Sequence, residues 1–368
     1  MRITSQRPRL KRVLPGLAAV TLTVALAGCS AGNEDTGSGS GGEGGDSDLS
    51  GTIAGAGASS QEAAQAAWRA GFQEANPDVT VNYDPVGSGG GREQFIAGGV
   101  AFAGTDSYLD EEELAAATER CGGDPIEVPA YVSPIAVIYN LEGVDELNLA
   151  PETITGIFEG DITTWDDPAI AEDNPDADLP DTAITPVHRS DDSGTTENFT
   201  EYLSAAGGWA EEPSDVWPIQ GGEAASGTSG VVDAVGGGDG TIGYADASQA
   251  GDLGAANVLV GEEYVAPSPE AAAEIITASP AVEGREANSM AVDIDRETEE
   301  AGVYPVVLAS YMLACPSYED AAEGELVNAF LTYVVSEDGQ AAAAETAGSA
   351  PLSSEVSEQA TEIVSQIG

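Results

Sequence analysis

The sequence is poor in basic residues, because 11 Lys and Arg stand against 64 Asp and Glu and the formal net charge at pH 7 is −53. Five of the basic residues lie in the first twelve positions, so six arginines serve the rest of the chain. A surface this acidic repels nucleic acid and anionic lipid, and neither is an expected partner. Dense carboxylates also keep a surface hydrated, which suits a salty or alkaline habitat.

Lysine and histidine are each present once, as Lys11 and His188. Beyond Lys11 there is no lysine for a Walker A phosphate loop or for Schiff-base chemistry. One histidine and three cysteines make a zinc site unexpected. Acidic pairs such as Asp293 and Asp295 could hold calcium, but such pairs arise by chance among 64 acidic residues. We therefore expect neither a metal nor a cofactor.

A short apolar run follows the basic start of the chain. It extends from Val13 to Ala27, which is too short for a comfortable membrane span and typical of an export signal. It ends in LAGC, which resembles the lipobox of bacterial lipoproteins, where the cysteine (Cys29) becomes the lipidated first residue. Ordinary signal cleavage nearby is the alternative. We expect a signal peptide over residues 1–28 and a lipid-attached flexible linker over 29–48.

Two cysteines lie beyond the linker, Cys121 and Cys315. Outside the cytoplasm, an even number of cysteines favours a disulfide between them. Two free buried thiols are the alternative.

Short apolar strands alternate with amphipathic helices after residue 48, over a length sufficient for two domains. This pattern predicts an α/β fold with a mainly parallel sheet. Its first helix is expected to turn Ala63, Ala67, Ala70 and Phe72 inward. Glycine clusters recur where a strand passes into a helix, and ligands of such folds gather at the carboxyl ends of strands.

Three of these glycine-rich turns also carry hydroxyl groups, and they read GAGASS (55–60), GSGGG (87–91) and DSGTT (192–196). A helix N-terminus offers unpaired N–H groups and about half a positive charge. One Ser or Thr at such a position is ordinarily an N-cap. Three such turns together with a rare arginine, Arg189, favour a bound oxyanion instead.

Arg189 can hold two oxygens of an oxyanion at once. Asp191 is the expected partner that fixes its guanidinium, and an ordinary surface ion pair is the alternative. Asp106 follows an apolar strand in FAGTDS. Hydrogen phosphate still carries a proton and can donate a hydrogen bond to a carboxylate. Sulfate carries none, so it would leave that acceptor unpaired, which costs a large part of the binding free energy. Asp106 is therefore predicted to select phosphate over sulfate, and a plain turn aspartate is the alternative.

Together these motifs resemble the extracytoplasmic phosphate-binding proteins (PstS family) of bacterial ABC phosphate-uptake transporters. The likeness runs from Leu49 to about Glu362 and rests on GAGASS, GSGGGREQFIAGGVAFAGTD, TGIFEGDITTWDDPAI, HRSDDSGTTENFTEYL, WPIQGG, GTIGYAD and SAPLSSEV. It implies a two-lobed type II periplasmic-binding-protein fold. Each lobe is a central mixed or parallel sheet flanked by helices, and the ligand lies in the hinge cleft. Lobe I is expected to contain residues 49–132 and 305–368, and lobe II residues 133–304, which places both cysteines in lobe I.

The resemblance also implies a function. The chain would bind inorganic phosphate with high affinity outside the cytoplasmic membrane, close over it by hinge motion, and deliver it to the permease and ATPase of an ABC transporter. It would act as a monomer, without enzymatic activity, and would meet the membrane through its lipid anchor. The implied phosphate ligands are Ser59, Ser60, Ser88, Asp106, Arg189, Ser193, Gly194 and Thr195, with Asp191 holding Arg189.

One departure from the family pattern and several rival functions stay open. The first turn often reads Ala-Thr-Phe in relatives, so Ser60 replaces an aromatic residue. Arsenate, or less readily sulfate or molybdate, could occupy the same site, and a phosphate-sensing lipoprotein without a transport role would keep the same residues. A serine hydrolase would need Ser193 or Ser88 beside His188, but no Gly-x-Ser-x-Gly elbow follows a strand.

Overall fold

The computed structural model describes residues 49–368, apart from the side chains of residues 277 and 278. The predicted signal peptide (1–28) and linker (29–48), with Cys29, lie outside the described residues. The strands are β1 Gly51–Gly57, β2 Val79–Asp84, β3 Phe102–Thr105, β4 Ile126–Asn140, β5 Asn148–Leu149, β6 Thr185–Arg189, β7 Glu223–Ala225, β8 Thr241–Asp246, β9 Gly254–Ala255, β10 Asn257–Val260, β11 Glu263–Val265 and β12 Val307–Ala314.

The helices are α1 Glu62–Ala75, α2 Ser88–Ile96, α3 Glu111–Cys121, α4 Pro151–Glu159, α5 Pro168–Asp173, α6 Gly194–Ala206, α7 Gly227–Gly236, α8 Pro269–Ala278, α9 Ala321–Val335, α10 Glu337–Ala347 and α11 Ser354–Val364. A 3₁₀ turn covers Ala247–Gln249. Over residues 49–368, no helix is both long and apolar enough to cross a bilayer.

The main sheet is mixed and has the strand order β2-β1-β3-β12-β4-β8-β6-β7, with β9 also paired to β4. Strands β2, β1 and β3 run parallel, as do β8, β6 and β7, while β12 and β4 between them pair antiparallel to their neighbours. A second, three-stranded sheet has the order β11-β10-β5. Because the carboxyl ends of parallel strands share an edge, each parallel group offers one edge for a ligand.

Strand β4 joins the two parallel groups of the main sheet. Its first part, Ile126 to Pro134, pairs with β12, and its second part, Ile135 to Asn140, pairs with β8. All but the last of its fifteen residues are buried, which explains the long apolar run in the sequence. One continuous strand therefore carries the chain from one parallel group to the other.

The first helix, α1, buries a face that is shifted from the predicted one. Ala64, Trp68 and Phe72 are buried at a spacing of four, while Ala70 is exposed. Of the four residues expected to face inward, Phe72 is buried, Ala63 and Ala67 are half-buried, and Ala63 packs against the core, so the prediction is wrong for Ala70. The large Trp68 sets the face, because its ring is fully buried and its Nε1 donates to the Gly339 carbonyl at 2.9 Å.

Cys121 and Cys315 form a disulfide with an S–S distance of 2.01 Å and a Cα–Cα distance of 5.1 Å. Cys121 is the last residue of α3 and Cys315 follows β12. Their sulfurs belong to a small apolar cluster with Phe95, Leu109 and Leu313. The bridge links two segments that are 194 residues apart in sequence.

Candidate functional site

The first two glycine-rich turns meet at the carboxyl ends of β1 and β3. Gly57, the last residue of β1, has φ +147°, and a Cβ there would lie 1.9 Å from the Gly104 carbonyl oxygen. Glycine is therefore required for β1 to approach β3 this closely. The Gly87 N–H donates to the Gly57 carbonyl at 3.0 Å, which places Ser88 and the start of α2 beside the same strand ends.

The third turn packs directly against the second. A Cβ on Gly194 would lie 2.6 Å from Ser88 Oγ and 2.8 Å from Asp106 Cβ. The Gly89 N–H donates to the Asp192 carbonyl at 3.2 Å. The N-termini of α2 and α6 consequently point toward one region, which is the arrangement that favours an anion.

Asp106 lies at the centre of this region and is 2% exposed. Its carboxylate accepts hydrogen bonds from Ser60 Oγ at 2.6 and 2.8 Å, from Ser310 Oγ at 2.6 Å and from Thr195 Oγ1 at 3.2 Å. Burial raises the pKa of the Asp106 carboxyl above its usual value, although these hydroxyl donors and Arg189 oppose the shift. The site thus holds a buried acceptor surrounded by hydroxyl groups.

A buried glutamine fixes the direction of one of these hydroxyls. Gln61 Nε2 donates to Ser310 Oγ at 2.7 Å and to the Tyr311 carbonyl at 3.2 Å, while Gln61 Oε1 accepts from Gln65 Nε2 at 2.9 Å. Since Ser310 Oγ accepts from Gln61, its own proton is left to donate to Asp106 Oδ1. Gln61 and Ser310 therefore hold the Asp106 side chain as a hydrogen-bond acceptor.

Arg189 ends β6 and is 3% exposed. Its Nε donates to Asp191 Oδ1 at 2.8 Å, its Nη2 contacts Asp191 Oδ2, and Asp191 Oδ1 also accepts from the Gly227 N–H at 3.0 Å. Burial acts to raise the pKa of the Asp191 carboxyl, but the hydrogen bonds and charge of Arg189 lower it below its usual value. Because Asp191 holds one edge of the guanidinium, the opposite edge can face an oxyanion.

The remaining predicted residues lie around these two groups. Ser59 Oγ accepts from the Thr228 N–H at 3.1 Å and contacts Thr228 Oγ1 at 3.0 Å. Ser193 Oγ caps α6 by accepting from the Thr196 N–H at 3.2 Å. Ser88 Oγ accepts from the Asp106 N–H at 3.1 Å. The structure thus brings all eight predicted ligand residues to one region, and their role in binding stays a prediction.

A second buried acid lies close to the first turn. Asp246, at the end of β8, accepts from Tyr131 OH and from the Ser248 N–H, the latter at 2.9 Å. Tyr131 OH also lies 3.4 Å from the Ser60 carbonyl oxygen. Burial, opposed by these hydrogen bonds, raises the pKa of the Asp246 carboxyl to about 6. This acid is therefore connected to the turn that contains Ser60 through Tyr131.

A cavity of about 650 Å³ adjoins Asp106 on the side of Tyr108. Its lining includes Glu201, Asp293 and Arg296. The one arginine in this lining donates to Glu201 Oε2 at 2.7 Å, so its charge is already paired. An anion is consequently disfavoured in this cavity and favoured at the helix N-termini on the Ser88 and Thr195 side of Asp106.

The geometry does not assemble a serine hydrolase around His188. Its Nδ1 and Nε2 lie 2.9 Å and 3.0 Å from the carbonyl oxygens of Arg189 and Gly221, and its ring stacks on Trp217. Ser193 Oγ caps α6 and does not pair with His188, whose two ring nitrogens face those carbonyls. Within residues 49–368, no group of three His, Cys, Asp or Glu side chains is arranged to hold a metal ion.

Several residues of this site were missed from the sequence, above all Gln61, Arg92, Thr228 and Ser310. Ser310 did carry a signal, since it is the one aliphatic hydroxyl within the apolar strand β12, VLASYMLA. Arg92 also carried a signal, because only six arginines follow residue 12 and each is therefore a candidate for a specific role. Gln61 and Thr228 carried none, because their partners lie 249 and 169 residues away in sequence.

Comparison with known proteins identifies the family. The model of the PBP superfamily domain matches residues 42–338. The phosphate-binding protein PstS3 of Mycobacterium bovis is 39% identical over 268 residues, which cover 71% of this chain and 72% of that protein. The phosphate-binding protein PstS2 of the same species is 34% identical over 330 residues, 85% of this chain and 89% of that protein.

Solved structures show the same fold. A high-affinity periplasmic phosphate-binding protein (PfluDING) with bound phosphate matches with a TM-score of 0.69 and 24% identity, over 83% of this chain and 92% of that one. A putative phosphate ABC transporter substrate-binding protein from Clostridium perfringens matches with a TM-score of 0.60 and 20% identity, over 82% and 100%. The predicted α/β, type II periplasmic-binding-protein fold is therefore confirmed. With its family model, relatives and fold in agreement, this chain belongs to the PstS family of phosphate-binding proteins.

Proposed function

We propose that this chain binds inorganic phosphate outside the cytoplasmic membrane and delivers it to the permease of an ABC transporter. The observation that carries the proposal is the buried Asp106 carboxylate, which lies among hydroxyl groups where the N-termini of α2 and α6 converge. Converging N–H groups and Arg189 attract an anion, while a carboxylate accepts a hydrogen bond only from an anion that is still protonated. Hydrogen phosphate meets both requirements and sulfate meets one.

The phosphate ligands in this proposal are Ser59, Ser60, Ser88, Asp106, Arg189, Ser193, Gly194 and Thr195. Hydroxyl and backbone N–H donors supply most of the contacts, and Arg189 adds two charged donors. Asp191 fixes Arg189 by its contacts to Nε and Nη2. Ser60 contributes its hydroxyl to the Asp106 cluster.

Short-range donors also explain how so acidic a chain can bind an anion. The formal charge of −53 repels phosphate at a distance. The Debye length is about 8 Å at physiological salt and about 3 Å at 1 M, so salt removes this repulsion while contacts inside the site persist. Binding should therefore tolerate, and even benefit from, high salt.

The ligand would be enclosed between two lobes, 49–132 with 305–368 and 133–304. Strand β4, which pairs with β12 on one side and β8 on the other, crosses near the proposed boundary at residues 132–133. Contacts such as Gly194 against Ser88 join the two segments. Phosphate that touches both would stabilise the closed form by hinge closure.

The remaining parts of the proposal concern location and assembly. Cys29 would be lipidated after removal of residues 1–28, and the chain would act as an anchored monomer without enzymatic activity. Relatives named as phosphate-binding proteins support the phosphate-binding part of the proposal. Uptake and phosphate sensing would use the same ligand residues.

Equilibrium binding of radiolabelled phosphate to the full-length protein, with arsenate or sulfate as competitor, tests the proposal. We expect saturable 1:1 binding that arsenate reduces and a large excess of sulfate does not. Competition by sulfate as strong as that by unlabelled phosphate would overturn the assignment of Asp106. Folded protein that binds no phosphate at low or high salt would overturn the proposed function.

A further inference from the structure

Arg92 lies in α2, outside the proposed phosphate ligands, yet it is 5% exposed and its guanidinium is hydrogen-bonded to four side chains. Its Nε donates to Glu113 Oε1 at 2.7 Å and its Nη2 to Asp215 Oδ2 at 3.0 Å. Its Nη1 lies 3.1 Å from Thr105 Oγ1 and 2.9 Å from Ser107 Oγ. An arginine with this many fixed partners holds several segments in one geometry.

Two of these hydrogen bonds hold the turn that carries Asp106. Thr105 and Ser107 flank Asp106 in sequence, and Thr105 Oγ1 also donates to the Ser107 carbonyl at 2.8 Å. Arg92 Nη1 therefore fixes this turn from both sides of the buried acid. Movement of the guanidinium would release the turn and shift the Asp106 carboxylate.

The hydrogen bond to Asp215 reaches the other group of ligands. The carbonyl of Asp215 accepts from the Ser193 N–H at 2.9 Å, and Ser193 is the N-cap of α6. Gly89 leaves the space for this approach, because a Cβ there would lie 2.6 Å from Asp192 Cβ and 3.3 Å from Asp215 Oδ2. Through Asp215, Arg92 is connected to the turn that begins with Ser193.

We propose that Arg92 is a positioning residue that couples closure of the cleft to assembly of the phosphate site, with Asp215 as its partner across the cleft. This inference rests on the proposed function. Arg92 lies in the first proposed lobe and Asp215 in the second, so their ion pair stabilises the closed arrangement of the two lobes both with and without phosphate. The same guanidinium then holds the Asp106 turn and, through Asp215, the Ser193 turn.

Burial strengthens this ion pair relative to one at the surface. The side chains of Arg92 and Asp215 are 6% and 27% exposed. Salt screens such a pair much less than an exposed one, so the Arg92–Asp215 attraction should persist at the high salt in which we expect phosphate binding. Loss of this pair destabilises the closed form around a bound ligand, and we therefore expect it to act mainly on the dissociation rate.

Stopped-flow measurement of phosphate association and dissociation by the full-length protein tests the coupling. In Arg92→Gln we expect the dissociation rate to rise by about tenfold or more, with the association rate changed by less than about twofold. Asp215→Asn should also raise the dissociation rate. In the variant that carries both substitutions, the dissociation rate should be little higher than in Arg92→Gln alone. Arg92→Lys, which keeps the charge but not the fork of donors, should restore part of the loss.

Arg69→Gln is the matched control, since it removes an arginine of α1 that donates to the Gln65 carbonyl within its own helix. Rates in Arg92→Gln that equal those of Arg69→Gln, or a loss confined to association, would overturn the coupling.

Amide hydrogen exchange without phosphate separates this inference from the function itself. Arg92→Gln should exchange faster than Arg69→Gln both at residues 105–107 and at Ser193. Faster exchange at residues 105–107 alone would overturn the link across the cleft. Wild-type protein that fails to bind phosphate would count against the proposed function, while the exchange result would still decide the role of Arg92.

Discussion

Replacing Asp106 by asparagine changes one buried acceptor oxygen into a donor without changing the shape of the side chain. Gln61 orients Ser310 so that the Ser310 hydroxyl donates to Asp106 Oδ1. In the variant, the amide oxygen is therefore expected to take the position of Oδ1. The new NH₂ group then occupies the position of Oδ2, which faces Ser60 and Thr195. A proton-donating group would thus face the ligand where the wild type has an acceptor.

The magnitude follows from the hydrogen bonds that each anion can make in the variant. Phosphate loses one hydrogen bond to a charged acceptor, a cost of roughly 1.5–3 kcal/mol, which weakens its binding about tenfold to a hundredfold. Sulfate no longer meets an unpaired, repelling carboxylate and gains a donor, which stabilises its complex by a comparable amount. The ratio of phosphate to sulfate affinity should therefore fall by about a hundredfold or more in Asp106→Asn.

Calorimetric titration of each anion into wild type and Asp106→Asn measures this ratio. Asp78→Asn is the control, because Asp78 is exposed and its replacement removes the same charge. Sulfate heat that appears in Asp106→Asn and stays absent in the control would support the reasoning. If the variant excluded sulfate as strongly as the wild type, another group would be responsible for selection.

The arginine of the site, the buried acids and the disulfide each give a further test. Arg189→Ala should weaken phosphate binding by about 2–5 kcal/mol in the same titration, since it leaves Asp191 without its buried partner, and an unchanged affinity would remove Arg189 from the site. The pKa values of Glu197, about 7, and Asp246, about 6, are raised chiefly by burial, so the folded state binds protons more readily than the unfolded state. The free energy of unfolding should then rise as the pH falls from about 8 to about 5, and urea unfolding of Asp246→Asn should show a weaker rise. Replacing both Cys121 and Cys315 by alanine should lower the free energy of unfolding by about 2–5 kcal/mol while phosphate affinity stays unchanged, and a loss of affinity would contradict a purely structural role.

Local chemistry explains what could be predicted from the sequence. The turns that contain Ser60, Ser88 and Ser193 are recognisable because glycine precedes or follows a hydroxyl at each strand-to-helix transition, and the structure brings them together. Asp106 stands out as an acid at the end of an apolar strand. Each of these signals is contained within a few consecutive residues, where conformational preference is decided locally.

Long-range packing explains what could not be predicted. The sequence pattern places alanines on the inner face of α1, but burial of Trp68 against α10 decides that face. The partners Ser310 for Asp106 and Asp215 for Arg92 lie 204 and 123 residues away in sequence. Which of many polar residues becomes such a partner depends on the strand order of the main sheet, and no local pattern encodes that order.

A crystal structure of the protein with phosphate bound tests the central claim most directly. The account predicts one phosphate between the α2 and α6 N-termini, with both Arg189 and Thr195 in contact with it and one oxygen about 2.5–2.7 Å from the Asp106 carboxylate, as expected for a donated proton. Phosphate bound elsewhere, or bound with no oxygen within hydrogen-bond distance of Asp106, would contradict it.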